Sequence, residues 1–121
     1  MRVLFYGGRD FHDQHKAFKC LDKIHNKIGI TCIIQGEARG ADTIGKRWAE
    51  LNNIPHEDYP ANWASYGRRA GYIRNKQMRD DGKPDLGIEC PGGVGTKMMN
   101  NLLTEKSIPI LTLEDIIKTD F

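Results

Sequence analysis

The chain has 121 residues, of which 28% are charged, and its formal net charge is +2. This length predicts one domain over residues 1–121 with ordinary globular composition, and the near-neutral balance gives no sign of a nucleic-acid or membrane-surface protein. The longest apolar runs are about five residues, far short of the ~20 that cross a bilayer. The three cysteines, Cys20, Cys32 and Cys90, form no CxxC pair, so we expect reduced thiols and a cytoplasmic location.

Strands and helices alternate along the chain. Short apolar or β-branched runs predict strands, and apolar residues at helical spacing predict helices. In chain order, the predicted elements are a strand at 3–6, a helix at 17–28 that Gly29 stops, a strand at 30–35, a helix at 41–51, a short strand at 54–59, a helix at 68–79, a strand at 86–90, a helix at 94–106, a strand at 108–113 and a partial turn at 114–118. This order predicts a Rossmann-like three-layer α/β/α fold with an open, mainly parallel five-stranded sheet.

Three of the predicted strands end in glycine-rich segments, at 7–10, 36–42 and 91–96. In open parallel sheets the ligand lies beyond the carboxyl ends of the strands, where the strand order reverses. We therefore expect the three segments to converge on one crevice. Three glycine-rich segments that directly follow strands, in a chain this short, are more than turns alone require.

The segment 91–96, PGGVGT, carries the strongest signal for an anion. Gly92, Gly93 and Gly95 allow a tight turn, and the free N–H groups and positive dipole end of the helix that follows favour phosphate. Thr96 adds a hydroxyl to the same site. The alternative is a plain turn between strand and helix with Thr96 as its N-cap.

The segment 36–42, GEARGAD, repeats this theme at a second helix start. We expect Arg39 to contact a phosphate bound at this helix start. Asp42 either caps the helix or holds a ribose hydroxyl, and capping is the favoured interpretation.

The basic residues between 63 and 79 separate on a helical projection of about 100° per residue. Arg74 lies on the half that carries small and apolar residues, whereas the opposite half carries Arg68, Arg69, Lys76 and Arg79. An inward-facing arginine needs a partner, because an unpaired buried charge is costly. That partner is either a phosphate or carboxylate in the crevice, or a structural salt bridge to Glu37 or Asp10.

Trp63 and Tyr66 fall in a predicted loop just before this helix. They either stack on a base or cover the core, and core covering is the more common role of such residues.

Taken together, GGRDF (7–11), GEARGAD (36–42), YPANWASYGRRAGYIRN (59–75), Met78 and PGGVGT (91–96) resemble the YspA-like, cpYpsA-related branch of the SLOG superfamily. The resemblance spans nearly the whole chain, with the motifs in the same order. It implies a Rossmann-like fold and a nucleotide or nucleotide-derived ligand. It also implies distant kinship with the LONELY GUY phosphoribohydrolases and with DprA, in a superfamily whose members are proposed to sense or process signalling nucleotides, often in bacterial and phage conflict systems.

The resemblance to LONELY GUY enzymes is incomplete. Arg74 with Met78 matches their RxxxM pattern, and 91–96 matches their PGGxGT loop, but Lys97 to Met99 stand where a glutamate should follow. An enzyme that cleaves an N-glycosidic bond needs a carboxylate, which activates water or stabilises the oxocarbenium-like centre. We therefore favour a sensor or sequestering protein that binds without chemistry. The alternative is a hydrolase that cleaves an N-glycosidic or phosphate bond, with Asp10, Glu37, Asp42 or Glu89 replacing the glutamate.

The predicted ligand-binding residues are Gly7, Gly8, Arg9, Asp10, Gly36, Arg39, Gly40, Asp42, Trp63, Tyr66, Arg74, Asn75, Gly92, Gly93, Gly95 and Thr96. The candidates for catalysis are Asp10, Glu37 and Arg74. The expected partners are a nucleotide-like small molecule and a second copy of the chain, most simply a homodimer, and no membrane is expected. A nucleic-acid binder is a third, weaker alternative, indicated by the basic face from Arg68 to Arg79 and by the kinship with DprA, and disfavoured by the near-neutral charge.

No metal and no cofactor are predicted. The segment 40–46, GADTIGK, has Arg47 where a P-loop needs Ser or Thr for Mg²⁺. His12, Asp13 and His15 lie at an expected exposed helix start without a fourth ligand at a set spacing.

Overall fold

The structure is a computed structural model that describes residues 1–120. Within them, the strands are β1 (Arg2–Tyr6), β2 (Cys32–Gln35), β3 (His56–Asp58), β4 (Leu86–Glu89) and β5 (Ile110–Thr112). The helices are α1 (Gln14–Ile28), α2 (Ala41–Leu51), α3 (Trp63–Tyr66), α4 (Ala70–Asp80), α5 (Val94–Glu105) and α6 (Leu113–Lys118), and a 3₁₀ turn (Gly67–Arg69) joins α3 to α4. The five strands pair in parallel in the order β3-β2-β1-β4-β5, which confirms the predicted Rossmann-like fold.

The central strand β1 is buried on both faces because a layer of helices covers each side of the sheet. Val3 and Phe5 point into a core shared with α1, α2 and α6, whereas Leu4 and Tyr6 point into a core shared with α4 and α5. This follows from the alternation of side chains along a strand. A strand buried on both faces has no polar alternation, which is why the run at 3–6 reads as continuously apolar.

Helix termini follow local sequence signals. The side chain of Asp13 accepts a hydrogen bond from the Lys16 amide at the start of α1, and Gly29 ends that helix with φ 82°, a conformation that suits glycine. Thr112 and Asp115 form a capping box at the start of α6, which makes the predicted partial turn a regular short helix.

The two predicted strands that contain a proline are shorter than predicted. The expected strands 54–59 and 108–113 begin only after Pro55 and Pro109, at β3 and β5. A proline has no N–H to donate to a sheet ladder, so only its carbonyl joins the pairing.

The helix predicted at 68–79 begins two residues later, at Ala70, after the 3₁₀ turn. Gly67, at φ 56°, ends α3 and prevents one continuous helix. Trp63 and Tyr66 therefore lie in a short helix and not in the predicted loop.

Arg79 is buried, although the helical projection placed it on the half opposite to that of the inward-facing Arg74. Its Nη1 donates to the Leu102 carbonyl at 3.1 Å and to Glu105 Oε2 at 2.8 Å. A projection of a single helix could not reveal that α5 covers this half of α4. No helix within residues 1–120 is long and apolar enough to cross a bilayer.

Candidate functional site

The three glycine-rich segments meet at one edge of the sheet. They follow β1, β2 and β4, which are adjacent strands, so their carboxyl ends lie side by side. The Gly8 amide donates to the Pro91 carbonyl at 2.9 Å, and the Ala41 amide donates to the Gly8 carbonyl at 3.2 Å. The first segment is thus hydrogen-bonded through its backbone to both others, and the three form one interlocked floor.

Two glycines make this close approach possible. Gly40 has φ 80°, and a Cβ built on it would lie 2.6 Å from the Arg9 carbonyl oxygen and closer still to that of Gly8. A Cβ on Gly92 would lie 2.7 Å from the Gly8 amide nitrogen and would overlap the Thr96 hydroxyl. Side chains at these positions would force the three segments apart.

Above this floor lies a crevice of about 390 Å³ at the point where the strand order reverses. Of the predicted ligand-binding residues, it is lined by Gly7, Gly8, Arg9, Asp42, Trp63, Arg74, Asn75, Gly93, Gly95 and Thr96. Of the others, Asp10, Gly36, Arg39 and Gly92 line adjoining depressions, and Gly40 and Tyr66 do not line the crevice.

The sequence analysis missed five lining residues, which are Ala38, Arg68, Gly71, Tyr72 and Met98. Helical spacing offered a signal for some of them. Gly71 stands one turn before Arg74 and Asn75, and Met98 stands one turn after Gly95, so each shares a helix face with a predicted site residue.

Arg74 points inward from α4, as its helical position predicted. Its Nε donates to the Asn75 side chain at 2.9 Å, and its Nη1 donates to the Gly36 carbonyl. It forms no ion pair with any residue in 1–120, so the alternative salt bridges to Glu37 and Asp10 do not form. No carboxylate of residues 1–120 therefore lies within ion-pair distance of the guanidinium.

The surroundings of Arg74 disfavour its charge. Burial lowers its pKa from the ordinary value, and the nearby Arg9 acts in the same direction, while Asp42 opposes both. Desolvation and like-charge repulsion each destabilise a cation. An anion in the crevice would relieve both effects.

The prediction that Asp42 caps α2 was wrong. The N-cap is Gly40, and the Asp42 side chain, 7% exposed, instead accepts a hydrogen bond from the Ala38 amide at 3.3 Å. Among residues 1–120, it contributes the one carboxylate that lines the crevice. Burial raises the pKa of this carboxyl to about 6, although Arg74 and Arg9 counteract part of the shift.

Replacing Asp42 with asparagine should abolish the decrease in stability that its carboxyl causes between pH 4 and 7. In the folded state the pKa of Asp42 lies at about 6, above the value of 3.8 taken for the free group. In this interval the Asp42 carboxyl binds fewer protons in the unfolded chain than in the folded one, so its contribution to the free energy of unfolding falls as pH rises from 4 to 7, by on the order of 2–3 kcal/mol.

Urea unfolding of the original chain and the variant at several pH values measures this contribution of Asp42 to the free energy of unfolding. The Asp42→Asn variant should lose the decline and gain stability at pH 7, because the amide oxygen still accepts from Ala38. An unchanged decline in the variant would assign it to another group.

The other acidic candidates lie outside the crevice. The side chain of Asp10 is 90% exposed and pairs with Arg39 at 3.3 Å. Glu37 lines a neighbouring pocket, where its Oε1 pairs with Lys46 at 2.6 Å. Glu89 lines a separate pocket beside Cys90 and Pro91.

The start of α5 presents uncovered backbone to the crevice. Its N-cap is Gly93, which supplies no side-chain hydrogen bond, and a Cβ built on Gly93 or Gly95 would meet nothing within 4 Å. Thr96 is buried in the first turn, so it is not the N-cap. Free N–H groups at a helix start, opposite Arg74, are suited to an anion.

Trp63 forms the outer wall of the crevice. The guanidinium of Arg9 lies over its ring at 5.7 Å, and the ring lies beside Gly71 of α4, at ordinary contact distance from where a Cβ would stand. Trp63 and Tyr66 are each about half exposed, and α3 contains no buried residue, so neither covers the core. Their exposed faces remain available for stacking.

Comparison with known proteins gives two matches. The family model described as "YspA, cpYpsA-related SLOG family" matches residues 1–66. The Gene 61 protein of Mycobacterium phage D29 is 33% identical over 122 residues, which cover 94% of this chain and 97% of the phage protein. No solved structure matches the chain significantly.

Proposed function

The chain belongs to the YspA, cpYpsA-related SLOG family, and from this premise we propose that it binds a nucleotide or nucleotide-derived signalling molecule in the crevice, as a sensor or a sequestering protein. The observation that carries the proposal is Arg74. It is a half-buried arginine without an ion-pair partner among residues 1–120, and it lines the same cavity as the start of a helix. An arginine in this setting is matched by phosphate, which accepts two of its N–H groups at once.

The charges around the crevice support an anionic ligand. Arg9, Arg68 and Arg74 line it, against the single carboxylate of Asp42. A phosphate on the N–H groups of Gly93 and Gly95 would lie at the positive end of the α5 dipole. The base would then lie toward Trp63, where an aromatic ring is exposed.

Replacing Arg74 with alanine tests the proposal. We expect the affinity for the bound nucleotide to fall at least tenfold, because a charge-assisted hydrogen bond contributes about 1.5–3 kcal/mol. Arg69→Ala is the matched control, since Arg69 is exposed, lies close in sequence and does not line the crevice.

The measurement is calorimetric titration of a panel of nucleoside mono-, di- and triphosphates and ADP-ribose, with mass spectrometry of the ligand after denaturation. Intact ligand recovered from the protein supports a sensor. Equal affinity in Arg74→Ala and Arg69→Ala would contradict the assignment of the crevice.

The alternative function, a nucleotide hydrolase, is favoured by one observation. Asp42 is a carboxylate inside the crevice, and its raised pKa of about 6 is suited to general acid–base chemistry. In that case free base or released phosphate should appear in the supernatant of the same incubation. Asp42→Asn should stop this release and leave binding in place.

A further inference from the structure

A second pocket of about 370 Å³ adjoins the crevice on the side of β2. Its own walls come from the segment after β2, with Gly36, Glu37 and Arg39, and from Pro60 and Ala61.

The second pocket and the crevice share part of their lining, which consists of Arg9, Ala38, Trp63 and Arg74. Side chains therefore separate two neighbouring spaces, each near the lower end of the range for small-molecule sites.

Arg74 connects the two spaces. Its Nη1 donates to the carbonyl of Gly36, in the wall of the second pocket, and its Nε donates to Asn75, in the wall of the crevice. The guanidinium thus lies on the boundary. Arg9 lines both spaces as well and is held there by the ring of Trp63.

Two guanidinium groups on this boundary repel each other. The charge of Arg9 contributes to the lowered pKa of Arg74, and neither arginine forms an ion pair with any residue in 1–120. The one carboxylate that acts on both is Asp42. One positive charge of the three groups remains uncompensated, which favours an anion here, and a bridge of two phosphates would place one phosphate on each arginine.

The second pocket offers an acceptor for hydroxyl groups. Glu37 has φ 61°, and its amide donates to the side chain of Gln35 at 2.6 Å, a residue with no exposed surface. Its Oε1 is bound to Lys46. The carboxylate is therefore held in place at the pocket wall from both ends, and carboxylates are common acceptors for the hydroxyls of a ribose.

We infer that the ligand is a two-part nucleotide whose halves are joined by a pyrophosphate. The pyrophosphate bridges Arg9 and Arg74, the nucleoside half occupies the crevice, and a sugar-containing half occupies the second pocket against Glu37. This inference rests on the proposed function and specifies the class of nucleotide.

Titration of two series of probes tests it, namely AMP, ADP and ADP-ribose, and their guanine counterparts GMP, GDP and GDP-mannose. With the preferred base, affinity should rise at least tenfold from the monophosphate to the diphosphate, and again severalfold on addition of the sugar. Glu37→Gln should remove the second gain and leave the affinity for the diphosphate unchanged. Glu50→Gln, an exposed acid of α2 outside both spaces, is the matched control.

The outcomes separate the two proposals. If the monophosphate binds and neither addition strengthens binding, the two-part ligand is wrong and the nucleotide site stands. If Glu37→Gln weakens all three probes equally, the second pocket is not a subsite. If no probe of either series binds, the proposed nucleotide function fails, and the two-part ligand fails with it.

Discussion

Replacing Gly40 with alanine should lower the free energy of unfolding by about 3 kcal/mol or more. The residue has φ 80° and ψ −126°, a region that side chains disfavour, and the added Cβ would collide with the carbonyl oxygens of Gly8 and Arg9. Relief of the collision would move the carbonyl of Gly8, which accepts the hydrogen bond from Ala41 at the start of α2. Urea unfolding followed by circular dichroism measures the loss.

Gly29→Ala is the control for this prediction. Gly29 has φ 82°, close to that of Gly40, but a Cβ built there would meet nothing within 4 Å. We expect it to cost about 1 kcal/mol, from the backbone conformation alone. If the two variants are equally destabilised, the close contact between the glycine-rich segments does not contribute to stability.

Replacing Gly93 with aspartate should reduce nucleotide affinity a hundredfold or more and leave the stability of the fold nearly unchanged. The position faces open space, with no atom within 4 Å of an added Cβ and with negative φ, so the fold accommodates the side chain. The same side chain would project a carboxylate toward the space that the proposed phosphate fills, and repulsion between two anions would add to the steric loss.

Gly93→Asn separates charge from size, because its side chain has the same shape and no charge. We expect an intermediate loss of affinity, measured by the same calorimetric titration. Nucleotide affinity that survives in Gly93→Asp would contradict the placement of the phosphate at the start of α5. Matching unfolding curves for the two variants would show that the fold is intact.

The fold class could be predicted correctly from the sequence alone. The apolar run at 3–6 and its counterparts have no polar alternation, and this pattern predicts strands covered on both faces. Gly29 marked the end of α1 correctly. The inward direction of Arg74 followed from its apolar neighbours on the same helix face, because such a face is determined by local spacing.

The features that the sequence did not reveal depend on contacts between distant segments. Arg79 is buried because α5 packs beside it, and Asp42 turns to the Ala38 amide because Gly40 already occupies the cap position. Neither contact has a local signature. The second pocket, with Pro60 and Ala61, required the spatial order of the strands, which periodicity does not determine.

The exposed outer wall of the crevice has a consequence for the timing of ligand exchange. Every residue in 62–69 is exposed, whereas the floor is tied by backbone hydrogen bonds to the buried strands. Such a segment opens at a small fraction of the free energy that unfolds the sheet, so its amides should exchange with deuterium far faster than those of β1. Trp63 and Arg68 open with it. The frequency of opening would then limit the association and dissociation rates together, whereas the contacts that the closed segment and the rigid floor make with the ligand would determine the dissociation constant.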